Sequence, residues 1–325
     1  MKLLFLRGQV PQDRNPKQIM FNHLEDVDDL WTQLACALTG EDYGEVWYWG
    51  GKRFKEYKSN FAERWMPDFK IGKYDRDPDV IFARGGFPEY DQVLKRFPKA
   101  YKIYYGAGKR FYPQSKFKNY DLIINDTKGQ VKKTSKLFPK SKVIRWVKPA
   151  AENIFKPVEA EKEYDVIMVA NESPKKDIKG HGFAFKHVPK DLKMLKAGIA
   201  LKKSRNRHPH VDFTGWIPRR LLPELYAKSK VAIVCCTTID SCPRVIPEAL
   251  ACDCPLLILD RINFWHDKYI SEKSGKLCNE ENFSQELKNM VANYDKFSAY
   301  EHYKEHLSLD KCVETISSYV NNKHL

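Results

Sequence analysis

Short apolar runs separated by polar, periodic stretches organise the first half of the chain. Residues 3–6, 45–49 (EVWYW), 79–83 (DVIFA), 102–105 (KIYY), 121–125 (DLIIN) and 142–147 (KVIRWV) are strand-like runs rich in branched and aromatic side chains. Such runs, bounded by turn residues, predict buried strands. Residues 24–38 and 128–136 carry helical patterns between them. Strands alternating with helices predict a mostly parallel sheet. Residues 149–163, with Pro149, Pro157 and a cluster of Glu, interrupt the alternation and read as a linker. A second series follows. Residues 164–170 (YDVIMVA), 211–213, 231–236 (VAIVCC) and 255–259 (PLLIL) predict strands, and residues 221–227 and 247–251 predict helices. Residues 280–325 hold further helical segments. The predicted architecture is α/β, with two doubly wound domains over residues 1–157 and 158–325 and the C-terminal helices packing back on the first. Open α/β sheets bind ligands beyond the carboxyl ends of their strands.

Composition narrows the class. A chain of 325 residues, 42% apolar and 13% aromatic, can bury two cores. No apolar run approaches the ~20 residues that a membrane span requires. The opening MKLLFLRGQVPQDR turns polar too soon for a signal peptide and reads as a first strand entering a loop at Arg7, Gly8 and Gln9. The eight cysteines include adjacent Cys235 and Cys236 and the pair Cys252 and Cys254, which match neither a disulfide framework nor a zinc spacing. They read as free thiols of a cytoplasmic protein.

The net charge of +14 is clustered. Residues 101–150 hold 13 basic and 2 acidic side chains, and residues 175–207 hold 11 and 2. Residues 1–50 reverse the balance, with 4 basic and 8 acidic. Clustered positive potential attracts nucleic acid, an anionic membrane or a diphosphate; solvated lysines on helix faces are the plainer reading of each stretch alone.

Four elements in the second half occur in a fixed order: 147–157 (VKPAAENIFKP), 165–180 with Lys179-Gly180, 211–218 (VDFTGWIP) with its helix 221–227, and 240–255 (DSCPRVIPEALACDCP). Together they resemble the donor-binding domain of the GT-B glycosyltransferases, specifically the large retaining family 4. The resemblance covers about half of the chain. It implies two Rossmann-like domains facing a central cleft and transfer of sugar from a UDP- or GDP-linked donor. Asp240 and Glu248, separated by seven residues, correspond to the family's acidic pair. The first approaches the donor sugar; the second accepts hydrogen bonds from the ribose. Lys179, Gly180, Lys176, Arg244 and Gly215 are the implied donor-binding residues. The chain departs from the family in three places: Asp240 stands where Glu is usual, Asp253 where Gly is usual, and Ala170-Asn171-Glu172 where an Arg follows the strand.

Residue chemistry agrees with this placement. Glu248 lies just inside a helix whose amino terminus offers unpaired N–H groups and partial positive charge to a diphosphate. Pro247 fits the first turn, which needs no N–H donor. In the first half, Gly8, Arg84-Gly85-Gly86 and Lys109-Arg110 follow strands in glycine-containing, basic loops, where backbone can approach a ligand closely. They form a candidate acceptor wall. Asp75-x-Asp77 precedes a strand and reads as solvated charge. His208-Pro-His210 lacks metal spacing, and lysines with a helix terminus can neutralise a diphosphate without metal, so neither cofactor nor metal is expected.

Two acceptors fit the enzyme class. Basic charge interleaved with Tyr101, Tyr104, Tyr105, Phe111, Tyr112, Phe117 and Tyr120 suits a hydroxymethylated pyrimidine in DNA, as in phage-type DNA glycosyltransferases, with the base flipped for reaction. The same charge suits a membrane-surface enzyme acting on a lipid-linked or cell-surface glycan. A non-catalytic binder of nucleotide sugar or nucleic acid is the third reading, kept open by Asp240 and Asp253.

Overall fold

The computed structural model describes residues 3–7, 34, 38, 46–49, 65–66, 77–85, 90–106, 117–236, 243–261 and 269–321. The chain forms two compact units, Met1–Trp146 with Cys312–Leu325, and Val147–Lys311.

In the first unit, β1 (Leu3–Arg7), β2 (Val46–Trp49), β3 (Trp65–Met66), β4 (Val80–Arg84), β5 (Tyr101–Gly106), β6 (Leu122–Asn125) and β7 (Lys142–Arg145) form a parallel sheet in the order β3-β2-β1-β4-β5-β6-β7. Helix α1 (Tyr90–Arg96) contributes Tyr90 and Leu94 to a core with Leu4, Leu6, Ile81, Ala83, Tyr104 and Ile123. Helix α2 (Lys128–Leu137) starts at a capping box: Thr127 Oγ1 accepts from Gln130 N at 3.2 Å, and Gln130 Oε1 accepts from Thr127 N at 2.9 Å. Of the predicted helix 24–38, only Leu34 and Leu38 are described; both are helical and buried.

In the second unit, β8 (Tyr164–Val169), β9 (Met194–Ala197), β10 (Val211–Gly215), β11 (Ser229–Val234), β12 (Leu256–Leu259) and β13 (Gly275–Cys278) are again all parallel, in the order β10-β9-β8-β11-β12-β13. Alternate residues Val166, Met168, Val231, Ile233, Leu257 and Leu259 share one core with α3 (His181–His187) and α7 (Phe283–Ala292). The intervening Ile167, Ala232, Leu256 and Ile258 are buried too. A sheet buried on both faces explains why its strands read as unbroken apolar runs. Helices α4 (Lys202–Arg207), α5 (Leu222–Ala227), α6 (Val245–Ala251) and α8 (Ala299–His306) also lie in the second unit, and most of α9 (Leu309–Asn321) belongs to the first.

The compact units part at Trp146/Val147, whereas the sequence pattern marks a linker over residues 149–163 and a boundary near 157. The segment after Val147 is tied into the second unit. Lys148 N donates to Tyr269 Oη at 2.9 Å, Ala150 N donates to Tyr303 Oη at 3.1 Å, and Phe155 is 1% exposed under the guanidinium of Arg219. At the other end, Trp146 Nε1 donates to Cys312 O at 3.1 Å within the first unit.

Candidate functional site

Both sheets reverse their winding beside their first strand, between β1 and β4 and between β8 and β11. Ligands of doubly wound sheets lie beyond the carboxyl ends of the strands at such a switch point. In the second unit that place is furnished by the loop after β8 and by the start of α6.

The loop after β8 ends in Lys179-Gly180. Gly180 has φ of 75° and caps α3. A Cβ at Gly180 would lie 1.9 Å from the carbonyl oxygen of Cys235, at the carboxyl end of β11. Only glycine fits, and this close approach places Lys179-Gly180 directly at the β8/β11 switch. The amino end of α3 is already occupied. Asp177 Oδ1 accepts from His181 N, and Asp177 Oδ2 accepts from Gly182 N, each at 2.8 Å. Burial alone would raise the Asp177 pKa; the backbone N–H bonds from Gly182 and His181 outweigh it and hold the carboxyl below its usual range.

Helix α6 starts at Val245 and places Glu248 in its first turn. Glu248 N closes the first helical bond, to Arg244 O at 3.2 Å. Glu248 is buried, 5% exposed, and its Oε1 accepts from Arg219 Nη2 at 2.8 Å. The Arg219 guanidinium also lies 5.2 Å from the Phe155 ring centroid. Arg219 was invisible as a partner in the sequence, because only tertiary folding brings the turn before α5 to α6. Its signal is its place just after the Gly-x-hydrophobic-Pro turn that ends at Pro218. Arg244 is exposed at the cap of α6. Gly215 ends β10 with φ of 71° and accepts from Gly198 N at 3.0 Å. Lys176 is exposed and lines a pocket toward α4.

Asp253, the residue in place of the usual Gly, has a left-handed backbone with φ of 56°. Aspartate tolerates this conformation better than most side chains. Its Oδ1 accepts from Tyr300 N at 2.8 Å, so the carboxylate fastens the start of α8. The departure therefore preserves the turn.

In the first unit, Arg84 ends β4 and Gly85 follows with φ of 90°, its N–H donating to Tyr105 O at 3.1 Å. Asp77 is exposed before β4. Asp240, Gly8, Gly86, Lys109 and Arg110 lie outside the described residues. Sequence reading missed a buried polar group at the ends of β5 and β6, where Tyr105 Oη donates to Asp126 Oδ1 at 2.8 Å and Asn125 Nδ2 donates to Gly106 O at 3.2 Å. Among the described residues, no cluster of three or more His, Cys, Asp or Glu could hold a metal ion. No described helix is long and apolar enough to cross a membrane.

Residues 150–304 match the family model of the glycosyl transferases group 1. No curated protein matches the chain in sequence. Solved structures match its fold. Sucrose-phosphate synthase from Thermosynechococcus elongatus has a TM-score of 0.64 at 11% identity, over 100% of this chain and 99% of that one. HepE from Anabaena, solved with UDP and glucose, has a TM-score of 0.64 at 14% identity, over 99% and 100%. TarM has a TM-score of 0.54 at 16% identity over 74% of this chain, which spans only 54% of TarM. The fold is thus the two-domain α/β GT-B fold.

Proposed function

We propose that the protein is a glycosyltransferase that moves sugar from a UDP- or GDP-linked donor to a hydroxyl acceptor. The observation that carries this reading is the convergence of Lys179-Gly180 with the β8/β11 switch point, inside the segment that matches the group 1 glycosyl transferases. Lys179 and Arg244 supply positive charge for the diphosphate, Gly180 and Gly215 allow backbone to come close, and Glu248 receives the ribose hydroxyls. Arg219 fixes one oxygen of that carboxylate. Asp240 approaches the sugar. The UDP bound by HepE supports UDP as the nucleotide to test first. The resemblance to family 4 supports a retaining reaction in which the donor phosphate assists attack, so that no protein base is required.

The favoured acceptor is a hydroxymethylated pyrimidine in DNA, met by Gly8, Arg84, Gly85, Gly86, Lys109 and Arg110. Supporting it, Lys118, Lys128, Lys132, Lys133, Lys136, Lys140 and Lys142 are all exposed in the first unit, and Asp121 and Asp126 are the only acids in residues 117–145. The interleaved aromatics do not add to this support: Tyr101, Tyr104, Tyr105, Phe117 and Tyr120 are buried, and Phe111 and Tyr112 lie outside the described residues. One observation favours the membrane alternative: Leu137, in the same lysine-rich stretch, is 45% exposed, and basic surfaces with apolar tips bind anionic lipid.

The test is a mass-resolved transfer assay with UDP- and GDP-sugars against hydroxymethylated DNA, unmodified DNA and a lipid-linked glycan, each with and without EDTA. Sugar on hydroxymethylated DNA alone, unaffected by chelation, is the expected result. Product only on the glycan replaces the DNA acceptor. No transfer and no donor hydrolysis, with donor still bound, makes the protein a binder. Activity lost in EDTA and restored by Mg²⁺ contradicts the metal-free reading.

A further inference from the structure

A second feature of the Val147–Lys311 unit lies on the other flank of the loop after β8. A pocket of about 290 Å³ opens between α3 and α4. Its charged lining includes Lys175, Lys176, Lys203 and Arg207, none of which forms an ion pair among the described residues. The two acids of the lining are already engaged. Glu172 accepts from Leu201 N and Ser204 Oγ, at 2.6 and 2.7 Å. Asp177 holds the start of α3. Four cations and two carboxylates thus line the cavity, which leaves it net positive.

The buried member of the lining is His181, 2% exposed. Its Nδ1 stands 3.1 Å from Asp177 Oδ1, while Nε2 is buried without a hydrogen-bond partner. A buried polar atom without a partner is costly and marks a missing ligand or water. Asp177 is held ionised by its N–H donors and can only accept, so Nδ1 carries the proton. Burial first, then the nearby ammonium of Lys196, keep the ring neutral by lowering its pKa against the pull of Asp177. In that tautomer, Nε2 is an acceptor. A ligand that satisfies the pocket must therefore bring negative charge for the cations and also a proton to donate.

We infer that this pocket is an oxyanion site for a protonated phosphate, either hydrogenphosphate or the singly protonated head of a phosphomonoester, separate from the nucleotide-sugar site. The cations neutralise the charge, and the P–OH group donates to His181 Nε2. Fully deprotonated oxyanions such as sulfate lack that donor. The pocket shares the loop after β8 with the switch point, but no described residue of β11 or α6, nor Arg219, lines it.

Calorimetry on the full chain tests this at pH 6.5 and constant ionic strength, with inorganic phosphate, glycerol 3-phosphate, sulfate and UDP. Phosphate or its ester should bind at least tenfold more tightly than sulfate. The tighter of the two identifies the source as free phosphate or a phosphorylated molecule. Because Lys203 and Arg207 are exposed on α4, K203A/R207A should keep the fold and lower phosphate affinity at least tenfold, leaving UDP affinity unchanged. H181L, checked for fold by circular dichroism, should bring phosphate down to the sulfate level. Absence of saturable phosphate binding, or equal binding of sulfate, overturns the inference. A parallel loss of UDP affinity in K203A/R207A also overturns it, because the pocket would then belong to the donor. None of these readouts requires sugar transfer, so failure of the enzymatic reading would be seen separately.

Discussion

The two sheets share one strand order over six strands, the first adding β7 at its edge, and differ in what stands at their carboxyl ends. At the β8/β11 switch, glycine backbone is pressed against the neighbouring strand, and half-buried Arg219 pairs with buried Glu248 in the first turn of α6. In the first unit, the described ends of β5 and β6 carry a neutral hydroxyl and amide beside Asp126, and positive charge sits outside on the exposed lysines of α2. The same topology therefore carries one tightly packed switch point and one diffuse electrostatic surface. Topology supplies the crevice, and loops and helix starts decide its chemistry.

The largest expected effect tests the built site at Glu248. Loss of a carboxylate bonded to two ribose hydroxyls costs about 2–4 kcal/mol. Glu248→Ala should therefore abolish transfer and weaken UDP binding by some tens- to hundreds-fold in calorimetry. It also strips Arg219 of its partner in a mostly buried setting, which lowers stability by up to about 3 kcal/mol. The two effects separate in Arg219→Met, which should lower the melting temperature while retaining part of the nucleotide affinity. Unchanged UDP binding in Glu248→Ala would move the ribose elsewhere.

A paired glycine experiment compares the two regions by their backbones. Gly180→Ala drives a Cβ into Cys235 O in a left-handed conformation. Together these should cost at least about 2 kcal/mol in denaturant unfolding. At Gly129, in α2, a Cβ would meet no atom within 4 Å. Gly129→Ala should stabilise the first unit by up to about 1 kcal/mol through helix propensity. Equal effects at both glycines would remove the contrast between a packed ligand loop and an open helix.

Much of this was legible in the residues because sheets buried on both faces leave long apolar runs. The strands at residues 79–83, 121–125, 164–170 and 231–236 appear within a few residues of their predicted ends. β9 was missed because Lys196 interrupts its pattern, although that lysine is fully buried. β13 (GKLC) is buried only at its two ends, Gly275 and Cys278, with exposed Lys276 and Leu277 between, which leaves too little apolar signal. α4 (KKSRNR) has no apolar stripe at all. The positions of Lys179-Gly180 before a helix and of Glu248 in the first turn of another were legible from motif order. Arg219 and the pocket beside His181 were not, since both join residues distant in sequence, with Arg219 and Glu248 29 positions apart.

Lys196 gives the next smaller effect. Its Nζ donates to Gly198 O at 3.0 Å and to Ile199 O, and burial lowers its pKa to about 8, with Glu172 opposing the shift. The unfolded chain keeps this lysine near 10.5. Between those values the unfolded state binds more protons, so stability rises with pH. The charged lysine thus weakens the fold below pH 8, and this cost is relieved as pH climbs toward 10.5. The stability of wild type minus that of Lys196→Met should increase across about pH 8–10 by an amount on the order of 2 kcal/mol. A flat difference would mean that the ammonium is solvated as in water.

The smallest effect tests the diffuse surface. Lys132 and Lys136 are exposed on α2, in the unit that does not contain Lys179 and Glu248. If this face tracks a phosphate backbone, each contact adds about −0.9 to the slope of log affinity against log salt for duplex DNA. K132E/K136E should weaken duplex binding and flatten that slope by at most about 2, while UDP affinity stays unchanged. Because α2 is capped by Thr127 and Gln130 and these lysines are exposed, the fold should hold. A change in slope without a change in nucleotide binding would assign polyanion capture to the first unit. An unchanged slope would mean that these lysines only solvate the helix, and the DNA acceptor would lose its main structural support.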